Sequence, residues 1–99
     1  MKEITAKELA LKLKNETNIS VIDVREDEEV AQGIIPNAKH IPLGQLPDRL
    51  DEIDKHQAHY MVCRSGGRSG KACSFLSGKG YDVTNMAGGM LAFEDDVQK

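Results

Sequence analysis

Apolar and polar positions fall along this chain in blocks, and the period of each block predicts an element. Thr5-Ala6-Lys7-Glu8 has the form of a capping box, with Thr5 bonding the free backbone ahead of it and Glu8 reaching back. Leu9, Ala10 and Leu13 recur at helical spacing, which predicts an amphipathic helix over roughly 5–14, with Ile4 on a short preceding strand. The β-branched run Ile19-Ser20-Val21-Ile22-Asp23-Val24 predicts a buried strand. The acid-rich stretch 25–32 predicts a short surface helix ended by Gly33. A short strand is expected over 38–41, between Pro36 and Pro42. Leu46, Leu50 and Ile53 stand at i, i+4 and i+7 with Pro47 near the start, which predicts a helix over about 47–53. His59-Tyr60-Met61-Val62 reads as the next strand. Ala72, Cys73, Phe75 and Leu76 mark a helix over 69–79, with Gly78 and Gly80 as stop signals. A last strand over 82–86 leads through Gly88-Gly89 into a short helix holding Leu91 and Phe93.

Strands alternating with helices imply an α/β fold with a mostly parallel sheet. In open sheets of this kind, ligands bind beyond the carboxyl ends of the strands. Three unusual segments follow strand ends here: Asp23-Val24-Arg25, the loop 63–69, and Ala87-Gly88-Gly89. They are expected to converge on one edge of the sheet.

Composition narrows the choice of partner. The chain has 99 residues, the length of one domain, so 1–99 is expected to form a single unit. Thirteen Lys and Arg against 16 Asp and Glu leave a net charge of −3, with only Tyr60, Phe75, Tyr81 and Phe93 as aromatics. That balance argues against nucleic acid, which needs a basic surface and stacking rings. No apolar run approaches a membrane span, so no membrane partner is expected. Met1-Lys2-Glu3-Ile4-Thr5 has none of the features of an export signal, so a cytoplasmic location is expected. Cys63 and Cys73 then read as thiols rather than as a disulfide.

The chemistry gathers at Cys63. It ends a strand just before the turn Arg64-Ser65-Gly66-Gly67-Arg68-Ser69, which opens a helix. Backbone N–H groups of such a turn can point inward as an anion-binding nest, and the helix N-terminus adds partial positive charge. Arg64 and Arg68 add full charges. All of these favour thiolate over thiol, so Cys63 is expected to be an acidic nucleophile inside an anion cradle. A Cys–His pair is poorly supported, since His59 lies roughly 13 Å back along the strand, His56 lies further still, and His40 reads as an ordinary exposed residue. A metal site is poorly supported too, because there is no CxxC and the ten-residue spacing of Cys63 and Cys73 fits no compact ligand pattern. Glu26-Asp27-Glu28-Glu29 reads as a solvated acidic face at a helix start, and Cys73 as core filler beside Leu76.

These residues resemble a single-domain rhodanese, a sulfurtransferase, over nearly the whole chain. Ile19-Ser20-Val21-Ile22-Asp23-Val24-Arg25-Glu26 resembles the family's first motif, and Gly33-Ile34-Ile35-Pro36-Asn37-Ala38-Lys39-His40-Ile41-Pro42-Leu43 resembles its second. Cys63-Arg64-Ser65-Gly66-Gly67-Arg68-Ser69 resembles the active-site loop, and Gly80-Tyr81-Asp82-Val83 with Gly88-Gly89-Met90 the closing motif. Ile34 stands where the family usually has His, Asn37 where it usually has Gly, and Met90 and Phe93 where tryptophans are common.

The resemblance implies a rhodanese-like fold with helices on both faces of the sheet. It also implies transfer of sulfane sulfur, through a persulfide on Cys63, from a small anionic donor such as thiosulfate to cyanide or a thiol. That thiol can belong to a protein, in which case the domain serves as a persulfide carrier. Arg64, Ser65, Gly66, Gly67, Arg68 and Ser69 would bind the anion, Asp23 and Arg25 would support them, and no metal or organic cofactor is required. Asp23 is expected to orient loop arginines or to end its strand, and Arg25 to pair with surface acids. Cysteine phosphatases and some arsenate reductases use a similar loop with one more residue between Cys and Arg. Only Arg64, Ser65, Gly66 and Gly67 intervene here, which favours sulfur chemistry over phosphate.

Overall fold

The computed structural model describes all residues 1–99. Five strands form one sheet in the order β1-β5-β4-β2-β3: β1 Glu3–Thr5, β2 Ser20–Asp23, β3 Lys39–His40, β4 Ala58–Val62 and β5 Asp82–Ala87. Every pairing is parallel, so the sheet goes beyond the mostly parallel expectation. The helices are α1 Ala6–Asn15, α2 Asp27–Val30, α3 Gly67–Ser77 and α4 Gly89–Ala92.

Alternation along the central strands sends side chains to two separate cores. On one face Ile22, Met61 and Val83 pack with Ala72, Cys73 and Leu76 of α3 and with Leu46 and Ile53. On the other, Val21, Val62 and Met86 pack with Ala6 and Leu9 of α1 and with Ile35. Met90 and Phe93, at the positions where tryptophan is common, pack against this second cluster. Thr5 caps α1 through the reciprocal Thr5–Glu8 bonds expected of it.

Two expectations fail locally. The helix over 47–53 is absent. Two 3-10 helices, Leu43–Asp48 and Leu50–Glu52, stand there instead, with Pro47 inside the first. Pro47 has no N–H to continue an α-helical ladder, and the tighter turns still bury Leu46 and Ile53. The helix predicted from Ser69 begins two residues earlier, at Gly67, because its start is set by Gly66 in the left-handed region at φ 104°. Asn37 also has positive φ, 68°. Both Gly and Asn suit that conformation, which accounts for the substitution in the second motif.

Because the two cores lie on opposite faces, deletions in them should act independently. Leu9→Ala and Leu76→Ala, both fully buried, are each expected to cost about 2–5 kcal/mol. Their effects should add to within about 0.5 kcal/mol in urea unfolding.

Candidate active site

Cys63 follows β4 directly, on the α3 side of the sheet, and is 1% exposed. The chain turns over it so that the Gly66 N–H donates to Sγ at 3.0 Å and the Ser69 hydroxyl lies 3.3 Å from the same atom. Gly66 is the N-cap of α3 and has no side chain to satisfy the helix's first free N–H groups. The sulfur does that work instead. Burial pushes the Cys63 thiol up, but bonds from the Ser69 hydroxyl and from the N–H groups of Ser69, Gly66 and Ser65 outweigh it. The thiol therefore lies below its ordinary value. The shift runs in the expected direction, with hydrogen bonding rather than the loop arginines as its cause.

Turning N–H groups inward sends carbonyls outward, and α4 meets them. The Met90 N–H donates to the Cys63 carbonyl at 2.8 Å and the Leu91 N–H to that of Arg64 at 3.0 Å. This approach is possible because residue 89 is glycine. A Cβ there would lie 2.6 Å from the Cys63 carbonyl oxygen and closer still to that of Arg64, and Gly89 has φ 59°. The expected convergence of the loop with Gly88-Gly89 thus takes the form of direct hydrogen bonds.

The charged residues are arranged differently from expectation. Asp23 ends β2, the second of its two expected roles, and orients neither Arg64 nor Arg68. It binds Arg25, whose Nε and Nη2 donate to the carboxylate at 2.8–3.0 Å. Arg25 does not pair with surface acids. It is 6% exposed and also donates to the Gly33 carbonyl at 2.7 Å. Glu29 is not part of a solvated face: its carboxylate takes both Nη groups of Arg68, at 2.6 and 2.7 Å. That guanidinium holds the Glu29 carboxyl down to about 2. Arg64 and Ser65 are exposed at the mouth of the loop, beside Gly67. His40 is half-buried rather than exposed, and its Nε2 lies 2.7 Å from the Arg25 carbonyl. His59 is buried between Ser20 Oγ and the Asp54 carbonyl, away from Cys63.

Sequence reasoning missed Asn85 and Glu29. Asn85 is buried at the carboxyl end of β5, its Nδ2 donating to the Gly66 carbonyl at 3.1 Å and its Oδ1 2.5 Å from Ser69 Oγ. Its place one residue before buried Met86 was the available signal, since alternation there puts a polar side chain on the α3 face. Glu29 carried no signal distinguishing it from its acidic neighbours. Cys73 lies where expected, buried beside Ala72 and Leu76, its thiol pushed up to about 11 by burial.

With this geometry in place, likeness to known proteins becomes informative. The Rhodanese-like domain family matches residues 5–96. The chain belongs to the rhodanese family. It is 41% identical over 98 residues to YtwF of Bacillus subtilis, which carries a provisional sulfurtransferase name, covering 99% of this chain and 95% of that one. It is 38% identical over 92 residues to a sulfurtransferase of Allochromatium vinosum, covering 92% and 86%. The crystal structure of a Rhodanese-like domain protein from Staphylococcus aureus superposes with a TM-score of 0.94 at 43% identity, covering 99% of this chain and 97% of that one. Rhodanese membership and these relatives support sulfurtransferase activity in general. No helix is long and apolar enough to cross a membrane.

Two outcomes follow from this geometry. Cys63 should react with iodoacetamide with a midpoint lower than that of an ordinary free thiol. Cys73 should stay silent until the pH approaches about 11. Peptide mass spectrometry separates the two, and equal labelling at neutral pH would contradict the assigned environments. Gly89→Ala should cost at least about 1–3 kcal/mol from its backbone conformation alone. It should also slow Cys63 alkylation by pushing α4 off the loop.

Proposed function

We propose that this rhodanese is a sulfurtransferase that carries sulfane sulfur as a persulfide on Cys63. The observation that carries the reading is the sulfur of Cys63 held by inward N–H groups at the start of α3. In the first step the Cys63 thiolate attacks the outer sulfur of a donor such as thiosulfate. The S–S bond of the donor breaks, sulfite leaves with the bonding pair, and Cys63–S–S⁻ remains. In the second step a thiolate or cyanide attacks the terminal sulfur, and the Cys63 thiolate is the leaving group. Neither step needs a metal or an organic cofactor.

Each supporting residue then has a physical task. The N–H groups of the loop 64–69 hold negative charge on the attacking and terminal sulfurs. Exposed Arg64 attracts the anionic donor, while Arg68 is held beside the loop by Glu29, which cancels most of its charge. Asp23 and Arg25 brace the segment that carries Glu29. Cys63 is so little exposed that a slim donor with a protruding sulfur fits better than a bulky one.

The loop's length argues for sulfur over phosphate. Four residues between Cys63 and Arg68 enclose one sulfur anion. A tetrahedral phosphate needs a wider ring and a free guanidinium, and Arg68 is already engaged on both Nη groups. A second reading, that of a persulfide carrier for a protein thiol, is favoured by likeness to YrkF of Bacillus subtilis, provisionally named a sulfur carrier protein. That match is 34% identical over 89 residues and spans 48% of YrkF.

Mass spectrometry after thiosulfate treatment tests the proposal. One added sulfur on Cys63, absent in Cys63→Ala and retained in Cys73→Ala, is the expected result. Sustained thiocyanate formation marks the enzyme, and loading without turnover marks the carrier. Arg64→Ala should raise KM for thiosulfate with kcat nearly unchanged. Efficient hydrolysis of aryl phosphates with no sulfur adduct would overturn the proposal.

A further inference from the structure

Ser69 Oγ carries one hydrogen and faces two acceptors. Asn85 Oδ1 is 2.5 Å away and Cys63 Sγ is 3.3 Å away. All three residues are buried. The amide of Asn85 cannot be turned over, because its Nδ2 faces the Gly66 carbonyl, which can only accept. Asn85 therefore always presents an acceptor to Ser69, and one hydroxyl cannot serve both it and the sulfur.

We propose that Asn85 is a positioning residue that holds the Ser69 hydroxyl in reserve, freeing its O–H to hydrogen-bond Cys63 only when that sulfur carries negative charge. In the thiol state the chain of donors runs one way: Cys63 S–H to Ser69 Oγ, and Ser69 O–H to Asn85 Oδ1. Loss of the thiol proton removes the first donor and creates a charged acceptor. The hydroxyl then swings to Sγ, because hydrogen bonds to a charged group are the stronger ones. Resting on the proposed persulfide chemistry, the same exchange repeats within each cycle. The persulfide places its charge on the outer sulfur, Sγ becomes neutral, and the hydroxyl returns to Asn85. When an acceptor attacks the outer sulfur, charge reappears on Sγ as the leaving group, and the hydroxyl swings back.

Asn85 thus competes with the sulfur for one proton. Its removal should make Cys63 more acidic, the reverse of what loss of a supporting hydrogen bond ordinarily does. The Gly66 carbonyl keeps the Gly70 N–H as a partner at 3.0 Å, so replacing Asn85 does not orphan it. The charged groups facing the loop are Arg64, Arg68 with its Glu29 partner and nearby Glu26, and the Asp23–Arg25 pair at the end of β2, while Met1, Glu3 and Lys71 line the surface cleft over Gly66, Gly67 and Asn85. All stay in place in the variants below.

The test is the pH profile of iodoacetamide alkylation at Cys63, read by peptide mass spectrometry without any sulfur donor. Asn85→Leu should lower the midpoint by up to about one unit, a tenfold change in the thiolate-to-thiol ratio. Ser69→Ala should raise it. Adding Asn85→Leu to Ser69→Ala should move it no further, since Asn85 acts only through the hydroxyl. An equal shift from Asn85→Leu in both backgrounds would place its effect in the Gly66 carbonyl or in burial, and no shift in either would remove the effect altogether. Both results overturn the proposal. Should Asn85→Leu fail to fold, the infrared S–H stretch of Cys63 decides, taken as the difference from Cys63→Ala at a pH below the midpoint. It should lie below that of Cys73 and move up in Ser69→Ala, whereas an unbonded S–H in the native protein refutes the donor chain. A failure of either kind leaves the sulfur-transfer reading standing, because no step measured here transfers sulfur.

Discussion

A backbone that turns several N–H groups toward one atom must turn the matching carbonyls away from it, and each carbonyl so displaced needs a donor. The rest of the site is arranged around that constraint. The carbonyls of Cys63 and Arg64 are met by the first N–H groups of α4, and that of Gly66 by Gly70 and Asn85. α4 can come that close only because Gly89 has no Cβ and accepts a positive φ. The cradle is therefore a property of three strand ends together: β4 supplies the sulfur, β5 the amide and the glycine pair, and β2 the acidic brace.

Charge is placed by the same economy. Two ion pairs flank the loop, Asp23–Arg25 buried and Glu29–Arg68 half-buried. Arg25 reaches the carbonyls of Gly33 and Glu29, so it closes the turn that carries α2. That turn is covered by the C-terminal residues, where Ile34 and Gln98 exchange backbone bonds and Val97 packs where a side chain on Gly33 would lie. A four-residue helix has little stability of its own. Fixed in this way, it presents Glu29 to Arg68 and keeps that guanidinium from folding onto the sulfur.

Much of this was legible in the sequence, and the parts that were not share a cause. The strands, the capping box of α1, and the Cys63–Ser69 loop at a helix start announce themselves through local spacing. So does the glycine pair after β5. The 3-10 helices escaped because Leu46, Leu50 and Ile53 satisfy the α period while Pro47 breaks the backbone ladder beneath them. Partner choice among charges escaped as well. Arg68 finding Glu29 across 39 residues is decided by tertiary placement, while Arg25 folds back on Asp23 only two residues away, a local choice that composition does not reveal. Composition shows only that acids and bases are both present. Asn85 was the least visible, because a lone amide on a strand means nothing until the opposing helix is seated against it.

The two cysteines isolate what the loop contributes. Both are 1% exposed and both belong to the same buried cluster, so burial raises the thiol of each. Cys73 lies inside α3, where the backbone N–H groups are spent on the helix itself, and burial prevails. Cys63 lies just before α3, where the first N–H groups have no partner within the helix, and the sulfur collects them. Ten residues of separation, from the approach to α3 to its interior, thus reverse the sign of the shift between two equally buried thiols. Net charge near the sulfur cannot be the main agent, since Arg68 is neutralised by Glu29 and Arg64 stands in solvent. What separates an inert thiol from a candidate nucleophile in this protein is the supply of uncommitted donors at a helix end, and Gly66, Gly89 and Asn85 are the residues that keep those donors in place.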